Sequence, residues 1–294
     1  MITSPAVIRV ATRVLRVAPV GAMRRAARVA GSTASLFLRA RRRAVLESLS
    51  YLRPDLTLRQ RRRLARRTFA NFAAASIDLL RLPAASREEL ATLVSFTGLE
   101  HLDAALARGR GAIVVTAHLG PYELGGACLA ARGYPASAVA EDLGPEVMQA
   151  LSTFREATGM RVISLERAVI GTFRALKENT AVLLVADRLV GRGTTGVELP
   201  FASGVRTIPV GPATFAISSG APIIIAHIVR TTDIAGAHYA AQLDPPIFAE
   251  TGDGQESDRI ELTRRITDRL AELIVAHADE WYVFQPEWQV TRGG

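Results

Sequence analysis

The chain holds one cysteine in 294 residues, Cys128, so no internal disulfide can form. Cys128 falls in a predicted helix and reads as a small packed residue. Lysine is nearly missing as well: 35 of the 36 basic residues are arginine, Lys177 being the exception. No apolar stretch reaches the roughly 18 uncharged residues of a membrane-spanning helix. The longest candidate near the start, Val29 to Leu38, is bounded by Arg28 and Arg39. Arginines interrupt every apolar stretch of the front end, a poor match to a secretory signal. Aromatic residues are scarce at 6 %, and the basic front end has only Phe37 and Tyr51 before Phe69. Base-stacking proteins interleave aromatic with basic residues, so nucleic acid is not the expected partner. Walker, H-E-x-x-H and G-x-S-x-G sequences are all absent, which removes the parts of an NTPase, a zincin or a serine hydrolase. Histidines 101, 118, 227, 238 and 277 are scattered without ligand spacing, so no metal site is predicted. The G-x-G-x-x-G from Gly191 to Gly196 precedes a short extended stretch and Pro200, not a long helix, and is not a nucleotide fingerprint.

What is present is unevenly charged. Residues 1–67 carry 17 arginines against two acids, Glu47 and Asp55, although the whole chain is only +8. Codon bias explains arginine over lysine but not the concentration of charge at one end. A basic front end on an acidic body points to an anionic partner. Between Ile8 and Val17, Arg9, Arg13 and Arg16 share one helical face and Val7, Val10, Val14 and Leu15 occupy the others. That pattern suits a helix lying in an anionic lipid interface, and also an ordinary surface helix.

Residues 1–82 read as helical. Ala65, Phe69, Phe72, Ser76, Leu79 and Leu80 form one face that packs on the body, with Asn71 and Asp78 as capping or solvated residues. Leu82-Pro83 ends this region, and residues 83–294 form a second unit. There strands are predicted over 112–117, 137–140, 161–164, 181–186, 222–229 and 239–243. Helices are predicted over 124–131, 145–157, 168–177, 211–218 and 260–276, and 250–257 reads as a surface loop. The alternation predicts an α/β fold with a largely parallel sheet flanked by helices.

The clearest chemistry lies in Gly111-Ala-Ile-Val-Val-Thr-Ala-His118-Leu-Gly-Pro-Tyr-Glu123. The β-branched run is a buried strand, and Pro121 fits the first turn of a helix. His118 therefore falls at a strand's carboxyl end, where α/β sheets bind ligands, with Glu123 a turn away. A histidine with a carboxylate to fix its tautomer has the parts of a general base. Asp187 and Arg188 follow the second apolar strand and share that edge if the two strands are neighbours. They read either as an anion or oxyanion site or as a pair bracing a loop. Glu198 either points into the site or solvates a short edge strand. Arg206 opens Arg206-Thr-Ile-Pro-Val-Gly-Pro212, a turn before a helix start where an anion such as a phosphate can bind.

The spacing His118-x4-Glu123 resembles the His-x4-Asp/Glu signature of membrane-lipid acyltransferases. Ala186-Asp-Arg, Gly196-Val-Glu-Leu-Pro-Phe and Ile208-Pro-Val-Gly-Pro-Ala-Thr-Phe follow in order, with Asn71-Phe72 before and Phe284-Gln-Pro-Glu-Trp288 after. The succession, from about residue 65 to 290, is similar to the late lipid A acyltransferases and the phosphatidylinositol mannoside acyltransferases. It departs from the family at Phe201-Ala-Ser, where Phe-Phe-Gly is usual. The resemblance implies a peripheral enzyme on the cytoplasmic face of the plasma (inner) membrane, its basic front end on anionic lipid. Such an enzyme moves a fatty acyl group from acyl-CoA or acyl carrier protein to a glycolipid or phospholipid hydroxyl, with no other cofactor. It also implies His118 as base, Glu123 or Glu198 holding the imidazole, and Arg188 meeting the oxyanion or an acceptor phosphate. A lysophospholipid acyltransferase, a thioesterase and a non-catalytic lipid-binding protein are the competing readings.

Overall fold

The computed structural model describes residues 19–82, 85–140, 158–190, 194–231, 238–249, 255–286 and 288. The amphipathic stretch 8–17, the predicted helix 145–157 and the first glycines of the 191–196 motif lie outside these residues. Three helices come first: α1 (Val20–Phe37), α2 (Arg39–Leu52) and α3 (Leu58–Arg81). Thr57 and Gln60 close a reciprocal capping box at the start of α3, satisfying backbone N–H groups that the first turn leaves open. Helices α1 and α3 run antiparallel, and at Gly31 a Cβ would sit 2.4 Å from the Phe69 carbonyl oxygen, so only glycine permits the crossing. Among the described residues no helix is long and apolar enough to cross a membrane.

The α/β part follows: α4 (Arg87–Leu93), β1 (Val94–Thr97), α5 (Leu99–Leu106), β2 (Ala112–Thr116), α6 (Tyr122–Ala131), β3 (Ala136–Ala140) and β4 (Arg161–Ser164). Then come α7 (Ala168–Lys177), β5 (Ala181–Val185), β6 (Gly196–Phe201), β7 (Gly204–Pro209), α8 (Gly211–Ser219), β8 (Ile223–Arg230), β9 (Tyr239–Leu243) and α9 (Gln255–Ala276). The described strands form a seven-stranded sheet in the order β1-β9-β8-β2-β5-β3-β4 and a separate β6–β7 hairpin. Strands β8, β2, β5, β3 and β4 run parallel. Strand β9 opposes β8, and β1 runs with β9, which makes the sheet mixed at one end.

Strand β2 is buried at all five positions, as expected where helices cover both faces of a parallel sheet. Its side chains alternate between the two cores. Ile113 and Val115 join α7, α8 and α9 on one side, where Ile266, Leu270, Leu273 and Ile274 of α9 point inward as predicted. Ala112 and Val114 join Leu102 of α5 and Leu129 of α6 on the other. The first of these cores continues into the N-terminal helices through Val45, Leu49, Leu52, Ala65 and Phe69.

Four local readings change. The inward face of α3 is Ala65, Thr68, Phe69, Asn71, Ala75 and Asp78, whereas Phe72 and Leu80 are exposed. Asn71 and Asp78, read as capping or solvated, are buried. Asp78 binds Arg24 through both oxygens and accepts from the Tyr239 hydroxyl, and Asn71 receives Arg28 and donates to Asp279. The stretch Arg206 to Pro212, read as a turn before a helix start, begins instead inside β7, which lies opposite β6. Strand β1 and helix α5 were not expected, and α9 starts at Gln255, inside the predicted loop.

Candidate active site

The register of β2 and β5 sets the site. Thr116 pairs with Val185 at the carboxyl ends of neighbouring parallel strands. His118 and Asp187 each lie two residues further on, so they arrive at the same height. The His118 Nδ1 lies 2.7 Å from Oδ1 of Asp187. Asp187 is wholly buried, and its Oδ2 accepts a 2.7 Å hydrogen bond from the Trp281 indole N–H. An ionised carboxylate can only accept, so Nδ1 carries the proton and the lone pair lies on Nε2.

The C-terminal segment completes the enclosure. Leu119 and Trp281 form an antiparallel bridge, the Tyr282 N–H donates to the His118 carbonyl, and the Gly120 N–H donates to the Glu280 carbonyl. Residues 280–282 are thus laid as a short strand along 118–120, which is how Trp281 reaches Asp187. Gly120 makes the sharp exit from β2 at φ +59°, and a Cβ there would sit 1.9 Å from the Ile228 carbonyl oxygen. Pro121 then caps α6, and the His118 ring meets Tyr122 edge-on at 5.3 Å.

The electrostatics follow from burial and pairing. Burial would raise the Asp187 carboxyl, but the His118 attraction and hydrogen bond, helped by Arg206 and Trp281, hold it well below the usual carboxylate range. For His118, burial acts to lower the imidazole, yet the charge and hydrogen bond of Asp187 win and it is raised. Arg188 opposes that rise and Glu123 adds weakly to it. Glu123 is itself raised by burial, against a hydrogen bond from Tyr122 and the pull of His118.

Each residue singled out in the sequence now has a place. His118 and Glu123 lie at the predicted edge, Glu123 in the first turn of α6. The hydrogen bond that orients His118 comes from Asp187, not from Glu123 or Glu198. Asp187, read as a substrate contact or a brace, is too deeply buried to touch substrate and serves as the partner of His118. Glu198 lies exposed on β6, alternating with the buried Leu199 and Phe201. Arg188, half-buried, is close enough to His118 for its charge to be felt there. Arg206 is not at a helix start. It lies in β7 at 1 % exposure, its guanidinium 4.7–5.2 Å from the ring centres of Phe201, Trp281 and Trp288. From that buried position it steadies Asp187 and the aromatic cluster. Trp281 was missed, because nothing local distinguishes an indole just after a terminal helix from a core residue. Among the described residues no group of three or more His, Cys, Asp or Glu could hold a metal ion.

The fold is α/β, with a histidine oriented by a buried carboxylate at the carboxyl edge of a mostly parallel sheet, where such folds bind ligands. The chain belongs to the bacterial lipid A biosynthesis acyltransferase family, whose model matches residues 6–290. Among curated relatives, it is 34 % identical over 218 residues to a phosphatidylinositol mannoside acyltransferase of Mycobacterium tuberculosis, covering 72 % of this chain and 66 % of that protein. The namesake from Mycolicibacterium smegmatis is 30 % identical over 230 residues, covering 76 % of this chain and 72 % of that one. A crystal structure of the 1-acyl-sn-glycerophosphate (LPA) acyltransferase of Thermotoga maritima aligns with a TM-score of 0.37 at 13 % identity, over 81 % of this chain and 98 % of that chain.

Proposed function

We propose that this protein transfers a fatty acyl group from a thioester, on coenzyme A or acyl carrier protein, to a hydroxyl of an anionic glycolipid, with His118 as general base. The observation that carries the reading is the 2.7 Å contact between His118 Nδ1 and the buried Asp187, which leaves Nε2 to take a proton at the ligand edge. Nε2 accepts the lipid hydroxyl proton as that oxygen bonds to the thioester carbonyl carbon. The C–S bond then breaks, and the imidazolium returns the proton to the departing sulfur. Asp187 stabilises the imidazolium between these steps without itself taking the proton. Arg188 faces the oxygen that gains negative charge. A thioester is already activated, so no covalent enzyme intermediate is needed. The glycolipid acceptor is supported by the names of the mycobacterial relatives and by the arginine-rich front end, which would hold the chain on anionic lipid at the cytoplasmic membrane face.

The test is mass spectrometry of a total membrane lipid extract incubated with acyl-coenzyme A and either the wild-type protein or His118→Ala. The expected result is a lipid that gains one acyl chain with wild-type protein, at a rate reduced by about 10³-fold or more in the variant. The experiment is repeated with acyl carrier protein as donor. Free fatty acid without an acylated lipid would make the protein a thioesterase. Equal turnover by the variant would remove His118 from the reaction.

A further inference from the structure

Two cavities flank the crossing of α1 and α3. The first, about 640 Å³, is lined by five arginines (24, 25, 28, 67 and 230) against the carboxylates of Asp279 and Glu280. The second, about 560 Å³, is lined by four arginines and no carboxylate. Arg28 and Arg67 line both, so the two adjoin, and together they make an arginine-lined trough along α1 and α3. Its own acids neutralise only part of the charge. Arg24 is taken by Asp78 and Arg67 by Asp279 at 3.0 Å, while Arg28 meets the neutral Asn71 amide. Among the described residues Arg25, Arg63 and Arg66 have no carboxylate partner. So many guanidinium groups side by side repel one another unless an anion joins them, and their forked donors match phosphate oxygens.

Two features place the first cavity near the reaction edge. Arg230 ends β8, which runs parallel to β2, and therefore lies at the same sheet edge as His118. Glu280, on the trough wall, gives its carbonyl to Gly120, two residues past His118. Exposed apolar side chains lie close by: Val29, 68 % exposed, lines the second cavity, and Phe72, next in sequence to the lining residue Asn71, is 42 % exposed beside Tyr282. Guanidinium groups with exposed apolar neighbours fit a ligand carrying both a phosphate and hydrocarbon.

We propose that this trough is the phosphate subsite for the acceptor lipid, seating its headgroup phosphodiester while the hydroxyl to be acylated reaches His118. It takes from the preceding reading only that the acceptor is a lipid. The phosphates of a coenzyme A donor share the same chemistry, so the experiment separates the two sources.

Calorimetric binding is measured with monomeric dioctanoyl-phosphatidylinositol, dioctanoylglycerol and coenzyme A, below the lipids' micelle concentrations. The full chain is compared with two triple variants. One is Arg25→Ala, Arg63→Ala, Arg66→Ala, all exposed positions that leave the core intact. The other removes equal charge around α7, by Arg167→Ala, Arg174→Ala, Lys177→Ala, also exposed. The expected result is binding of the phosphoinositide over the diacylglycerol, weakened by about tenfold or more in the trough variant. Coenzyme A affinity and the α7 variant should be unaffected. Unchanged phosphoinositide affinity in the trough variant would overturn the proposal, as would equal loss in both variants, which reports net charge alone. Loss of coenzyme A affinity instead would give the trough to the donor. With no acyl donor beside the lipid, none of these outcomes depends on whether His118 acts as a base.

Discussion

A wholly buried carboxylate that stays ionised needs compensation, and for Asp187 it comes from His118 on one oxygen and Trp281 on the other. Asp187→Asn keeps the shape and removes the charge. The imidazole then loses the influence that raises its pKa and the acceptor that fixes its tautomer. The expected outcome is a fall of about 10²- to 10⁴-fold in kcat/KM. With His118 as the proposed base, the rising limb of its pH profile should move to lower pH. An unmoved limb in a profile from pH 5 to 9 would end the positioning role of Asp187. The same pair should appear in stability. Asp187, held down in the folded state, contributes fully above the ordinary carboxylate value of about 3.9 and loses that contribution as pH falls through its depressed pKa. His118, raised, contributes fully below about 6.5 and loses its share as pH rises through its folded pKa. The Tm difference between wild type and Asp187→Asn should therefore be largest between these values and shrink on either side. Of this pair the sequence shows one member plainly. His118 stands in an unmistakable strand-turn-helix, whereas Asp187 resembles any acid beginning a loop. Only the register of β2 against β5, which no local pattern encodes, tells that it lies opposite His118.

At the scale of elements, the turn after β2 is the least replaceable piece. Gly120→Ala would put a methyl group into the Ile228 carbonyl and force a left-handed backbone on a residue that resists it. The expected cost is about 3 kcal/mol or more, read as a lowered denaturant midpoint with unchanged slope. A variant as stable as wild type would mean that the turn relaxes without consequence. The long apolar strands and the amphipathic α9 were legible because one residue class runs through each. Strand β7 was not, and Arg206 is the reason. Its burial pattern alternates, with Arg206 and Ile208 inward, but an arginine at an inward position hides the alternation from a hydropathy reading. What keeps it there is the cluster of Phe201, Trp281 and Trp288, contributed by distant parts of the chain.

At the scale of the molecule, the charge of residues 1–67 was plain in the sequence, but the attachment of that region to the rest was not. Polar residues inside a helix look solvated, yet Asn71 and Asp78 are where α3 is bound to the C-terminal segment and to β9. Val45, Leu49, Leu52 and Phe69 lie in the same core as Ile113 and Val115 of β2. Side chains of this size contribute roughly 1.5–3 kcal/mol each when buried. Together the four match the net stability of a typical domain, about 5–15 kcal/mol. The boundary read near residue 82 then separates two compositions that share one core. A fragment of residues 83–294 should lack a cooperative thermal transition and be cut rapidly by protease, while the full chain melts in a single step. A fragment that melts cooperatively near the full-chain temperature would show the helical region to be an accessory, and His118 and Asp187 would have to hold their geometry without it.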